Sequence, residues 1–195
     1  MYKPLEMLKV GFCARSAFPV DLDGKMKIDA ERYQSRVVFD LPPIFTLGVG
    51  YKPLDKVTLG LDISYMMYGD MDEIRFKTTG LPTEHNRTYY KDAWEFKIGG
   101  DYQATERLAV RAGFFFTEGA TKLKGLTPAS NDIDLLIPSV GLAYRLTDAF
   151  EFTLGMSYNG GLEREYAGQR FDVDHWNVVS GMRLDFWAPT SGNSS

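Results

Sequence analysis

Charged side chains recur in phase with one another along this sequence. Asp62, Glu95, Lys97, Arg111, Arg145 and Arg183 each stand between apolar neighbours, and Lys9, Arg15, Asp101 and Asp185 share their phase. Acids and bases set two residues apart in a strand lie on one face, where they pair across to the next strand. An arginine on such a face can also hold a ligand carboxylate in a two-pronged grip. Arg111 and Arg145 are the candidates for that contact. The expectation for each arginine taken singly is pairing with Asp62, Asp101, Glu95 or Asp185. Met66, Phe115 and Val179 are apolar residues in the same phase, and are candidates for lining a ligand path.

Other chemistries find less material. Cys13 is the one cysteine, and His85 and His175 stand at no familiar metal spacing from it. No metal or cofactor is expected. A hydrolase would need Ser, His and an acid to converge. His175 follows Asp172 and Asp174, and His85 follows Glu84, but neither comes with an exposed-serine signature. An enzyme is not expected. Cys13 reads as a small packed residue, since nothing near it in sequence would activate a thiol.

These side chains need strands to hold them. Val57, Leu59, Leu61, Ile63 and Tyr65 alternate with Thr58, Gly60, Asp62 and Ser64; Phe152, Leu154, Met156 and Tyr158 alternate with Thr153, Gly155 and Ser157. Each such stretch has one oily face and one face of Gly, Asp, Arg, Ser and Thr. About every fifty residues an aromatic residue is followed by a short polar turn and a new alternating run, with copies starting at Tyr2, Tyr51, Tyr102 and Tyr144. The pattern predicts strands over 5–18, 37–51, 57–76, 92–102, 108–118, 135–146, 150–159 and 175–186. Tight turns of about five residues follow the tyrosines, and long polar loops fill 19–36, 77–91, 119–134 and 160–174. The expected fold is all-β: an antiparallel up-and-down transmembrane β-barrel with about eight strands present.

Composition fits. The net charge of −4 offers no nucleic-acid surface, and 11 Tyr, 13 Phe and 19 Gly in 195 residues favour strands and turns. No apolar run approaches the roughly 20 residues of a membrane helix. Barrel strands conceal their hydrophobicity by alternation. Met1 is followed by Tyr2-Lys3-Pro4-Leu5-Glu6, without the basic start and apolar core of a signal peptide. A lipocalin-type barrel would alternate too, with the oily side inward. Charges of both signs on the polar face, and aromatics at strand ends (Tyr51, Tyr102, Tyr144, Phe186), favour the oily side facing lipid.

Four places resemble the C-terminal half of the FadL-type outer-membrane transporters (the OmpP1/FadL/TodX family). They are Leu41-Pro42-Pro43 ahead of Phe45-Thr46-Leu47-Gly48-Val49-Gly50-Tyr51; the hairpin from Asp92 to Phe116; Asn131-Asp132-Ile133-Asp134 leading to Ser139-Val140-Gly141-Leu142-Ala143-Tyr144; and the last strand, ending on Phe186. At the third place the family often has Pro-Asp-x-Asp-Arg; here Asn131 replaces the proline and Leu135 the arginine.

The resemblance implies a fourteen-stranded barrel around an N-terminal plug, of which residues 1–186 supply the last eight strands. Residues 187–195 would be a flexible tail. It also implies passive transport of long-chain fatty acids or aromatic hydrocarbons across the bacterial outer membrane. The implied partners are a hydrophobic small molecule and outer-membrane lipid, with no nucleic acid, in a monomeric barrel. Phe76, Leu81, Leu123, Leu126 and Ile133 would form an outer apolar patch, or pack within their own loops. The alternative is a small closed eight-stranded outer-membrane barrel with a structural or adhesive role, its interior filled by side chains.

Overall fold

The structure, a computed structural model, describes residues 2–5, 7–29, 31–71, 73–127 and 132–184. Fifteen strands are present among them: β1 (Tyr2–Leu5), β2 (Leu8–Arg15), β3 (Phe18–Ile28), β4 (Glu31–Leu41), β5 (Ile44–Leu54), β6 (Val57–Met66), β7 (Glu73–Thr78), β8 (Glu84–Arg87), β9 (Ala93–Gln103), β10 (Leu108–Thr117), β11 (Leu135–Thr147), β12 (Phe150–Gly161), β13 (Arg164–Tyr166), β14 (Gln169–Phe171) and β15 (Asp174–Leu184). Among the described residues no helix is long and apolar enough to cross a membrane. Phe186 and the 187–195 tail lie outside the described residues.

Nine strands make one antiparallel sheet in the order β1-β2-β5-β6-β9-β10-β11-β12-β15. The order is an up-and-down meander. Pairs Asp55-Lys56 and Asp148-Ala149 join β5 to β6 and β11 to β12, and residues 104–107 join β9 to β10. These turns are shorter than the expected five residues because the strands run on past the tyrosines. The ninth strand comes from Tyr2–Leu5, which pairs with β2 as the other arm of the first turn. Among the described residues β1 and β15 are free edges and do not pair with each other. The sheet is therefore open, and the closed eight-stranded alternative is not what forms.

The stretches expected as loops over 19–36 and 77–91 hold strands instead. β3, β4, β7 and β8 form a second antiparallel sheet. Val20, Leu22 and Met26 alternate with Asp21, Asp23, Lys25 and Lys27, so the strand pattern was present beneath the charges. This sheet continues the wall in register. Arg15 opposes Ile44 and Phe18 opposes Leu41, three residues on along one arm and three back along the other. Pairing lapses between them because Pro42 and Pro43 have no N–H to give. The β13–β14 hairpin likewise sits inside the expected 160–174 loop.

Most of the buried residues gather at the long-connection end. One cluster joins Met66, Ala93 and Ala120, with Ile44, Tyr68 and Tyr90 against it. A second joins Leu126, Ile133 and Phe171, with Leu135 and Val173. Along the middle of the wall the oily side chains stay uncovered: Ile98 and Val140 are each 57% exposed and Val178 is 68% exposed. A face of this kind needs hydrocarbon against it.

Candidate functional site

Cross-strand register turns the polar face into stacked rows. Toward the short turns, Thr58, Asp101, Arg111, Gly141, Gly155 and Val179 stand side by side. The next row is Lys9, Gly50, Gly60, Gly99, Gly113, Ser139, Ser157 and Asn177. Above it come Gly11, Gly48, Asp62, Lys97, Phe115 and Ile137, then Cys13, Thr46, Ser64, Glu95 and Thr117. The outermost row is Arg15, Ile44, Met66 and Ala93. The opposite face is oily throughout: Val10, Val49, Leu61, Ile98, Phe114 and Pro138 form one of its rows.

The wall curves so that the polar rows line its hollow side. They enclose a trough of ≈ 990 Å³ whose floor includes Gly60, Gly99, Gly113, Asp62, Lys97, Arg111 and Phe115. Missing side chains make this space. A Cβ on Gly48 would lie 2.5 Å from Asp62 Oδ1, so the carboxylate rests where a larger residue would stand. The charges mostly satisfy one another. Arg111 Nε pairs with Asp101 Oδ1 at 2.9 Å, and Lys97 pairs with Glu95. Lys97 Nζ also sits 5.1 Å from the centre of the Phe115 ring. Thr46 and Ser64 share a 2.9 Å hydroxyl hydrogen bond.

The anticipated residues separate in space. Phe115 and Arg111 are trough residues, and Cys13 joins them. Val179 continues the Arg111 row at the β15 edge, where it is 67% exposed. Arg145 stands opposite Glu151, two rows closer to the turns than Arg111. Met66 is buried against Ala93 and Ala120 at the outer end and is not presented to the trough. Ile44, Tyr68, Tyr90, Ala93 and Ala120 were not anticipated; Ile44 and Ala93 were within reach of the phase argument, being register partners of Met66. Of the outer-patch candidates, Leu126 and Ile133 pack inward, Phe76 lies in β7, and Leu81 and Leu123 are each 48% exposed. His175 hydrogen-bonds Asn159, and His85 pairs with Glu73.

The Asp132-Ile133-Asp134 segment ties the outer connections together. Thr121 donates through its N–H and its hydroxyl to Asp132 Oδ2, at 2.8 and 2.9 Å. Gly119 N–H donates to Asp134 Oδ1 at 2.8 Å, and Arg164 donates to the same oxygen at 2.6 Å. The guanidinium that meets Asp134 thus comes from the following hairpin, with Leu135 standing next to it in sequence.

Aromatic residues bracket the oily band. Tyr51, Tyr102 and Tyr144 lie near the short turns, while Tyr65, Trp94, Tyr158 and Trp176 lie at the other end, paired as Tyr65–Trp94 and Tyr158–Trp176 with ring centres 4.7 and 4.9 Å apart. From Trp94 to Tyr102 is about 27 Å along a strand, which tilt brings within the ~25 Å apolar band of outer-membrane barrels. Just outside it, the Tyr65 hydroxyl donates to Asp92 at 2.5 Å and Gly69 N–H donates at 2.9 Å. Those hydrogen bonds hold the Asp92 carboxyl below the usual carboxylate range, with a smaller contribution from the charge of Lys122.

Comparison with known proteins agrees with this geometry. The profile of the family described as outer membrane protein transport protein (OMPP1/FadL/TodX) matches residues 1–188. A FadL homologue of Pseudomonas aeruginosa superposes with a TM-score of 0.75 at 17% identity, over 93% of this chain and 48% of that one. The toluene transporter TbuX of Ralstonia pickettii gives 0.64 at 15% identity, over 94% and 45%. The toluene transporter TodX of Pseudomonas putida gives 0.64 at 17%, over 95% and 47%. A 47 kDa outer membrane protein of Pasteurella multocida is 25% identical over 127 residues, 65% of this chain and 29% of its own length. The chain thus spans about half the length of the solved relatives and under a third of the curated one.

Proposed function

The chain belongs to the outer membrane protein transport family (OMPP1/FadL/TodX), and from that premise we propose that it forms part of a passive channel for hydrophobic small molecules, long-chain fatty acids or aromatic hydrocarbons. Its place is the bacterial outer membrane. The observation that carries the proposal is the pairing of an oily outer face with a polar hollow that glycine rows keep open. The paired charges leave the trough close to neutral. The glycine rows leave it open, and Phe115 and Ile137 give it apolar footholds below the outermost row of Arg15, Ile44, Met66 and Ala93.

In this reading Phe115 and Val179 touch the ligand, Met66 shapes the rim from behind, and Arg111 and Arg145 set the field a carboxylate would feel. Asp101 already occupies Arg111, which favours uncharged cargo or a weak, passing contact that does not trap the ligand. The open edges of β1 and β15 are completed by further strands of a single barrel, which works as a monomer. Movement down a gradient needs no energy source.

The test is uptake of oleate or toluene by cells that carry the protein, against cells that lack it. Uptake is expected to rise, to survive an uncoupler, and to fall several-fold in Phe115→Asp with the barrel still folded. Uptake equal in the two kinds of cell, or abolished by the uncoupler, overturns the proposal.

A further inference from the structure

At the outer aromatic end of the wall lie three lysines; Asp92 feels the charge of one of them, Lys122, but among the described residues none of the three has a salt-bridge partner. Residues 89–91 and 120–122 are held side by side by Lys91 N–H to Ala120 O and Lys122 N–H to Tyr89 O, each 2.7 Å, around the Tyr90–Thr121 bridge. Lys122 therefore opposes Tyr89 and Lys91 opposes Ala120, which makes the two lysines diagonal neighbours on one face of the bridge, within reach of long side chains. Lys124 follows in the turn Leu123–Gly125, its Nζ 4.5 Å from the centre of the exposed Tyr89 ring. Lys122 and Lys124 are exposed and Lys91 is half-buried.

The acids around them are already engaged by protein donors. Asp92 takes the Tyr65 hydroxyl and the Gly69 N–H, Glu118 takes the Trp94 N–H, and Asp132 takes Thr121. Among the described residues no carboxylate lies within ion-pair distance of Lys91, Lys122 or Lys124. Tyr65 and Trp94 belong to the oily face, so Asp92, and Lys122 near it, flank the lipid side of the wall.

We propose that Lys91, Lys122 and Lys124 dock the phosphates of a phosphorylated glycolipid in the outer leaflet. Cations just beyond an aromatic girdle meet lipid headgroups where the hydrocarbon ends, and Tyr89 supports the Lys124 stem as an amphipathic anchor. The site rests on the outer-membrane placement of the chain and is independent of which cargo passes through the trough.

The experiment uses the full protein in vesicles containing lipid A, and reads retained lipid A by native mass spectrometry. Replacing one lysine by alanine is expected to lower binding roughly fivefold, and all three roughly a hundredfold. The triple Lys→Arg variant should keep wild-type binding, which separates loss of charge from loss of fold. Vesicles of dephosphorylated lipid A should show no difference between the proteins. Equal binding by wild type and the triple alanine variant overturns the proposal. So does undiminished wild-type binding to dephosphorylated lipid A, or full competition by millimolar inorganic phosphate, which would mark a site for free anion.

Discussion

Leu154 and Leu22 have the same surroundings within the protein and different surroundings outside it. Both alternate with polar neighbours, both sit in antiparallel pairs, and they are 43% and 55% exposed. Leu154 lies in the wall between the two aromatic girdles. Leu22 lies in the β3–β4 extension, past the prolines where the wall's pairing lapses, beside a charged network of Arg36 with Asp21 and Asp23. Alternation therefore fixes which way a strand faces but says nothing about the solvent on each side. The solvent is set by distance along the strand, because about ten tilted residues exhaust the hydrocarbon.

The largest expected effect breaks the wall side of this comparison. Leu154→Arg should cost ~2–4 kcal/mol in folding titrations into lipid vesicles, since a guanidinium near the midplane loses its hydration. Gly48→Val comes next, at roughly 1–3 kcal/mol, because its Cβ must displace the Asp62 carboxylate; the same titration reports it. Thr153→Arg, one residue from Leu154 but facing the hollow, should cost well under the Leu154 value, about 0.5–1 kcal/mol, as the lumen face tolerates charge. Leu22→Arg should stay within about 0.5 kcal/mol, the ordinary range for an exposed position in water.

The smallest effect concerns pH. The Arg36 hydrogen bond holds the Asp21 carboxyl below its usual range. A lowered folded-state pKa means the pair supports the extension at neutral pH and keeps doing so into mild acid. The support is lost only as pH falls through that lowered value, below the ordinary carboxylate range. Hydrogen exchange of the β3–β4 amides should follow that course, and Asp21→Asn should remove the step.

Much of the wall is legible in the order of the residues. The copies at Tyr51, Tyr102 and Tyr144 fall at the expected turns, because an aromatic at the interface followed by polar turn residues is required wherever a strand leaves the bilayer. The extension was missed over 19–36 since Lys25, Lys27, Arg32 and Arg36 make it look like a solvated loop, although Val20, Leu22 and Met26 keep the two-residue period. Phase puts Phe115 and Arg111 on the polar face, and there they line the trough. Met66 has the right phase and another fate, because Ala120 reaches it from a later connection that no period within β6 announces. The Arg164–Asp134 contact was out of reach for the same reason: it joins segments thirty residues apart whose meeting depends on how the loops fold over one another.

The central claim is that the two faces of the wall have different solvents, and a nitroxide scan over residues 58–63 in bilayer-embedded protein tests it most directly. With Cys13 replaced by serine, labels at 59, 61 and 63 should respond to oxygen, while labels at 58, 60 and 62 should respond to a water-soluble nickel complex. The reverse phase, or no alternation at all, would contradict the account.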